Sequence, residues 1–313
     1  MKTASGKPSL AVLSRATGKP SLAAGMQPLF VVLWSSAFIA GVVGVGAAPP
    51  MMVLFARFAI AAVLLAVYAT VMHASWPSGG QLKHVVIAGL LMQIVQFGAF
   101  YTAMSLHVSA AIIALVQGLN PVVIALLAGF IGETVTARQW FGFGIGGIGV
   151  GLAVLDQSSM SLVGLLLCGV GLIGLSIGTI YQKRFVPQVD SRAATAIHMA
   201  ASAPVAGVLA WSTGQLHIWD ATRFAESLTW MVLVNSMVAF LLLNAMLKRW
   251  EATRVGRLFF ATPAVTAILA WLFIDQPLRP LAVAGLGVGL IGMVFASRRP
   301  TPVGEQRQPV PVR

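Results

Sequence analysis

AIIALVQGLNPVVIALLAGFIGE, Ala111 to Glu133, is an apolar run of bilayer-crossing length with a polar pair, Asn120-Pro121, in its middle. RVGRLFFATPAVTAILAWLFID, Arg254 to Asp275, repeats the pattern. Asn120 aligns with Thr262, Pro121 with Pro263 and Glu133 with Asp275, all at one offset of 142. Each run leads through a short polar turn into a glycine-rich stretch. Gly142, Gly144, Gly146 and Gly149 are echoed by Gly285, Gly287, Gly289 and Gly292 at offset 143. The chain therefore reads as an internal duplication.

Composition sets the class. Of 313 residues, 58% are apolar and 9% charged, where soluble domains carry about 25% charged residues. Mean hydropathy is +0.88. Such a chain cannot cover its own surface with polar groups, so an integral membrane protein is expected. The net charge of +12 sits in short loops between apolar spans. That is an orientation signal, not a phosphate-binding face, and no nucleic-acid partner is expected. A single cysteine, Cys168, in an apolar run leaves no intrachain disulfide and no cysteine metal cluster. No cofactor, no metal and no enzyme activity are expected.

Residues 1–27 form a basic tail in which GKPSLA occurs twice, at 6–11 and 18–23, with no apolar core of a cleavable signal peptide. Ten apolar spans are predicted near 28–46, 50–72, 84–106, 109–131, 138–155, 161–182, 192–213, 228–247, 254–274 and 279–297. The first repeat covers 28–156, the second 157–298, and 299–313 form a second tail. With the N-terminus inside, inner segments hold 17 of the Lys and Arg residues and outer loops hold 2, with Arg57 inside a span. Both termini are thus expected in the cytoplasm of a cell inner membrane. Five spans per copy is an odd number, so the second copy enters from the opposite side. The expected fold is an all-α membrane protein of ten transmembrane helices in two inverted-topology five-helix repeats, an architecture of secondary transporters.

With LWSSAF at Leu33–Phe38, FARF at Phe55–Phe58, and the repeated NPVVIALLAGFIGE and TPAVTAILAWLFID, the chain resembles the EamA branch of the drug/metabolite transporter superfamily. Within it, the similarity is greatest to exporters of the aromatic amino-acid type. The resemblance implies export of small metabolites, amino acids first. It also implies a central cavity lined by the fourth and ninth spans with the first, third, sixth and eighth, and peripheral fifth and tenth spans. Export of another metabolite or a drug is the alternative. A channel would need continuous polar rings, and an intramembrane enzyme would need clustered acids, His or Cys. The eight acids are scattered over loops and tails.

Polar residues within spans are costly and mark candidate sites. Gln93 and Gln96 share one face of the third span, continued by Phe97, Phe100 and Tyr101, a wall suited to a zwitterion with an apolar side chain. Asn120 and Thr262 stand beside Pro121 and Pro263, which break helical hydrogen bonding at mid-membrane and serve as candidate hinges. Trp34 is a candidate cavity lining, Tyr181 an inner gate or anchor, and Asn235 a mid-membrane amide. Substrate contacts are thus assigned to Trp34, Gln93, Gln96, Tyr101, Asn120, Tyr181, Asn235 and Thr262. Arg57, the one charge well within a span, could receive a substrate carboxylate but is read as structural, snorkelling outward or paired with Asp156 or Asp275. His198 is read as an interhelical hydrogen bonder. With no acid placed mid-span, facilitated export without obligatory proton or sodium coupling is expected.

Overall fold

A computed structural model describes residues 22–130, 136–155, 161–250 and 255–297, and every element in them is helical. The two tails from 1 to 21 and from 298 to 313, together with Glu133 and Asp156, lie outside the described residues. The runs are α1 (Leu22–Val45), α2 (Pro50–Val71), α3 (Gly80–Ser105), α4 (Ala110–Gly118, resuming as Asn120–Phe130), α5 (Ala137–Leu155) and α6 (Leu162–Phe185). They continue as α7 (Ser191–Ser212), α8 (Ala221–Thr229 running through Trp230–Ala239 into Phe240–Arg249), α9 (Arg257–Ile274) and α10 (Pro280–Ser297). Among the described residues, eight helices are long and apolar enough to cross a membrane, namely all of these except α5 and α10. Glycine and Arg138 dilute the hydropathy of α5, and α10 is a shorter apolar helix over Pro280–Phe295.

Helix starts follow capping chemistry. Ser109, Ser161 and Asp220 accept the amides of Ile112 (3.4 Å), Gly164 (3.0 Å) and Arg223 (3.0 Å), satisfying donors that have no partner inside the helix. Proline opens α2 and α10, where its missing N–H costs nothing. The tight turn expected near His107 is present, with His107 itself left-handed at φ 65. The eighth helix begins at Ala221, seven residues before the expected 228, because Asp220 caps the polar turn ATRFAESLT ahead of the apolar run. α1 likewise starts ahead of the expected residue 28 and carries Pro28 inside it.

Burial is inverted relative to a soluble bundle. Val63, Val67 and Val71 form an exposed stripe on α2, while its opposite face buries Val53, Arg57, Phe58, Ala61 and Leu65. Outward apolar side chains suit lipid, and the helices associate through close packing and hydrogen bonds. α2 packs on α7, whose buried face is mostly alanine. α5 packs on α10 backbone to backbone. A methyl on Gly149 would stand 2.6 Å from the Gly285 carbonyl oxygen, and one on Gly292 2.7 Å from that of Gly142. Gly144 and Gly287 face open space. Three of the four glycines in each ladder, Gly142, Gly146 and Gly149 with Gly285, Gly289 and Gly292, thus line the contact.

Contacts at the two ends show that the helices alternate in direction. At one end the Arg192 guanidinium donates to the Met72 carbonyl (2.9 Å) and His84 bonds Tyr181 (2.7 Å). At the other, the Trp219 indole donates to the Gly46 carbonyl (2.6 Å) and the Met51 amide to the Gln215 side chain (3.0 Å). The first end also carries Lys83, Arg138, Lys183, Arg184 and Arg249, and is called the basic end below.

Candidate functional site

A cavity of about 90 Å³ lies between α1, α2, α3, α4 and α8, from their middle toward the end opposite the basic one. Its wall is largely aromatic: Trp34 and Phe38 from α1, and Phe97, Phe100 and Tyr101 from α3. Its polar groups are Arg57, Gln117, Asn235 and the Tyr101 hydroxyl.

Arg57 corrects the sequence expectation. It is 6% exposed and faces the cavity instead of snorkelling. Its Nη1 donates to the Tyr101 hydroxyl (2.9 Å), and its guanidinium lies 4.8 Å from the centre of the Phe97 ring. Asp275 does not pair with it, and Asp156 lies outside the described residues. The reason is the helical face. Position 57 shares the buried face of Val53, Phe58 and Ala61, so the side chain has no route outward. Tyr101 in turn donates to the Met231 sulfur (2.9 Å), fixing the hydroxyl that holds Arg57.

Two further amides join the site. Gln96 donates through Nε2 to Gln117 Oε1 (3.2 Å), linking α3 to α4 at the cavity edge. Asn235 donates to the Leu33 carbonyl (2.6 Å) and, more weakly, to Ser36 Oγ (3.4 Å), while its Oδ1 has no partner among the described residues. The LWSSAF motif thereby explains itself. Ser36 accepts from the Trp230 indole (2.9 Å) and Ser35 donates to the Thr262 carbonyl (3.3 Å), so adjacent serines tie α1 to α8 and to α9.

Of the residues assigned from sequence, Trp34, Tyr101 and Asn235 line the cavity and Gln96 stands one hydrogen bond away. The rest point elsewhere. Gln93 is buried, with its Oε1 unpartnered among the described residues. Asn120 accepts from Ser176 Oγ (2.8 Å), joining α4 to α6. Tyr181 closes the basic end against His84 and Phe185. Thr262 is buried against α1 through its carbonyl. His198 makes no hydrogen bond through Nε2 among the described residues and packs on Gly89, where a methyl would meet its Cα at 2.8 Å. The ninth and sixth helices, expected in the lining, contribute no side chain to it, whereas the second does.

The proline sites interrupt both helices. α4 breaks at Leu119, just before Asn120-Pro121, and α9 enters Thr262-Pro263 through a 3-10 turn, Arg257–Ala261. That turn lets the Thr262 amide bond the Phe259 carbonyl, so this carbonyl is not left free for a cation. The two interruptions adjoin, since a methyl on Gly118 would lie 3.6 Å from Pro263 Cγ. Beneath the cavity, toward the basic end, Phe259 meets Trp34 edge to face (5.1 Å) and Phe30 (5.4 Å).

Sequence reading also passed over a pair it had the means to find. Gln93 and Asn235 are separated by the same 142 residues as Asn120 and Thr262. Each lies in a π-helical stretch, Leu90–Val95 in α3 and Trp230–Ala239 in α8. Such widened turns concentrate at functional positions.

A partly polar cavity among alternating apolar helices is an arrangement that suits a membrane protein handling a small solute. Comparison with known proteins narrows the class. The EamA-like transporter family matches the chain twice, over residues 26–155 and 162–298. The chain belongs to that family and is a membrane transporter. It is 24% identical over 274 residues to an uncharacterized transporter of Archaeoglobus fulgidus, covering 87% of this chain and 97% of that one. It is 22% identical to the uncharacterized inner membrane transporter YedA of Escherichia coli K12 (85% and 87%). It is 23% identical to a "Probable amino-acid metabolite efflux pump" of the same organism (85% and 91%). A solved crystal structure with 16% sequence identity superposes with a TM-score of 0.63, covering 87% of this chain and 94% of that chain, a likeness of fold.

Proposed function

We propose that this transporter exports small metabolites, foremost amino acids with apolar or aromatic side chains, by alternating access around the central cavity. The observation that carries the reading is the cavity itself. Trp34, Phe97 and Phe100 offer an apolar wall, while Arg57, Gln117 and Asn235 offer a few fixed polar contacts. That combination suits a small solute with one charged head and an apolar side chain. The relative named as an amino-acid metabolite efflux pump supports the same substrate class.

The reading includes ten membrane crossings in two inverted halves, 28–156 and 157–298, with the basic end and both termini in the cytoplasm. The family's double match supports two halves. So does the packing, because exchanging each helix with the one five later preserves the main pairings. α2 with α7, α4 with α9 and α5 with α10 map onto themselves, and α1 with α8 maps onto α6 with α3. The concentration of Lys and Arg at one end supports the orientation.

The test is transport by the purified protein in proteoliposomes, with a panel of amino acids, nucleosides and cationic drugs. Saturable flux of amino acids above protein-free vesicles is expected. Flux of only the drugs or nucleosides would replace the substrate class.

A further inference from the structure

We propose that Arg57 is the receptor for a carboxylate on the cargo, so that the site requires an anionic head group and treats the ammonium group as optional. This rests on the transporter reading above and names the chemistry of its site.

A guanidinium in the middle of a membrane protein is costly unless an anion answers it. Among the described residues no carboxylate does. Of the acids described there, Asp190 pairs with Arg192 (2.6 Å) and Asp220 with Arg223 (3.7 Å), and neither Glu226 nor Asp275 forms an ion pair. What holds Arg57 is neutral: one hydroxyl on Nη1 and one ring face. Its Nε is buried and donates to nothing among the described residues. Nη1 is therefore committed to Tyr101, while the Nε–H is a buried donor left without an acceptor there, the unmet need that an entering carboxylate answers. Tyr101 acts as a positioning residue, itself anchored on Met231.

The opposite charge has no such match. Among the described residues the cavity lining holds no acid, and the acceptors it offers besides the Tyr101 hydroxyl are the amides of Gln117 and Asn235. Asn235 Oδ1, unpartnered among the described residues, can accept from an ammonium group. It would supply a neutral hydrogen bond, not a counter-charge. Carboxylates lacking an amine should therefore bind, and amines lacking a carboxylate should not.

The experiment measures binding to purified wild-type protein in detergent by calorimetry, with L-leucine, isocaproate (the same skeleton without the amine) and L-leucinamide (without the carboxylate). Leucine and isocaproate are expected within roughly tenfold of each other, and leucinamide weaker by at least about tenfold, the scale of a lost charge-assisted hydrogen bond. Arg57→Gln should abolish the preference for leucine over leucinamide, and Arg57→Lys should retain part of it. Equal binding of leucine and leucinamide by the wild type, or binding of neither carboxylate, overturns the proposal without recourse to a variant. Carboxylate-selective binding with no flux in vesicles upholds the receptor and rejects the transport reading. Leucine flux indifferent to Arg57→Gln does the reverse.

Discussion

Trp34 and Phe259 meet edge to face, ring centroids 5.1 Å apart and planes at 87°, and so join the cavity floor on α1 to the 3-10 turn that precedes Pro263 on α9. Phe30 completes the cluster at 5.4 Å from both rings. A substrate entering from the basic end would have to part these rings, so the cluster reads as the closed gate on that side. Each aromatic pair contributes about 1 kcal/mol.

Phe259→Ala removes two such pairs, about 2 kcal/mol together, and should raise the population open toward the basic end by roughly thirtyfold. The readout is the labelling rate of a cysteine at Ala37, a cavity-lining position, by a membrane-impermeant reagent applied from the basic end. Native Cys168 is fully buried and gives a low background. An unchanged rate would make the cluster simple packing.

The adjoining interruptions at Leu119 and at Arg257–Ala261 make Pro121 and Pro263 the expected pivots. Pro121→Ala and Pro263→Ala allow regular helix to close across each break, and should slow exchange several-fold while leaving substrate affinity within about twofold. Turnover and affinity measured on the same preparation separate the two effects. Parallel losses in both would show a binding defect.

Gly149 and Gly144 lie in one ladder but differ in surroundings. Gly149→Ala must push α5 off α10 and should destabilise the protein by about 1–3 kcal/mol, whereas Gly144→Ala meets nothing within 4 Å and should be neutral or slightly stabilising. Thermal unfolding of both variants in detergent checks this, and equal melting temperatures would contradict the packing.

Orientation is tested by cysteines at Ser78, in the exposed α2–α3 turn, and Leu216, in the exposed α7–α8 loop. Position 78 should react only from the cytoplasm and position 216 only from outside. The opposite pattern would invert the proposed topology.

Much of this architecture was legible because it is written as length, period and repetition. The 142-residue offset located both broken helices, and three of the four glycine pairs that echo one another at offset 143 are the ones on which α5 and α10 pack. The site was only partly legible. A polar residue within a span signals a cost without signalling which neighbour absorbs it. Asn120 and Trp34 looked alike in that respect, yet Asn120 is taken up by Ser176 and Trp34 reaches the cavity. Arg57 was misread because its distance from the helix end was weighed and its helical face was not. Gln117 lines the cavity with its side chain and was not among the residues assigned from sequence. The π-helical stretches around Gln93 and Asn235 have no periodic signature short enough to recognise.

The central claim, that a single alternating site carries amino acids with apolar or aromatic side chains, is tested most directly by counterflow in proteoliposomes. Vesicles are loaded with unlabelled leucine and given a trace of labelled leucine outside. The account predicts transient accumulation of label above equilibrium, saturable in leucine and reduced at least about tenfold by Asn235→Ala or Trp34→Ala. Label that only equilibrates, at a rate proportional to concentration and indifferent to both variants, would contradict it.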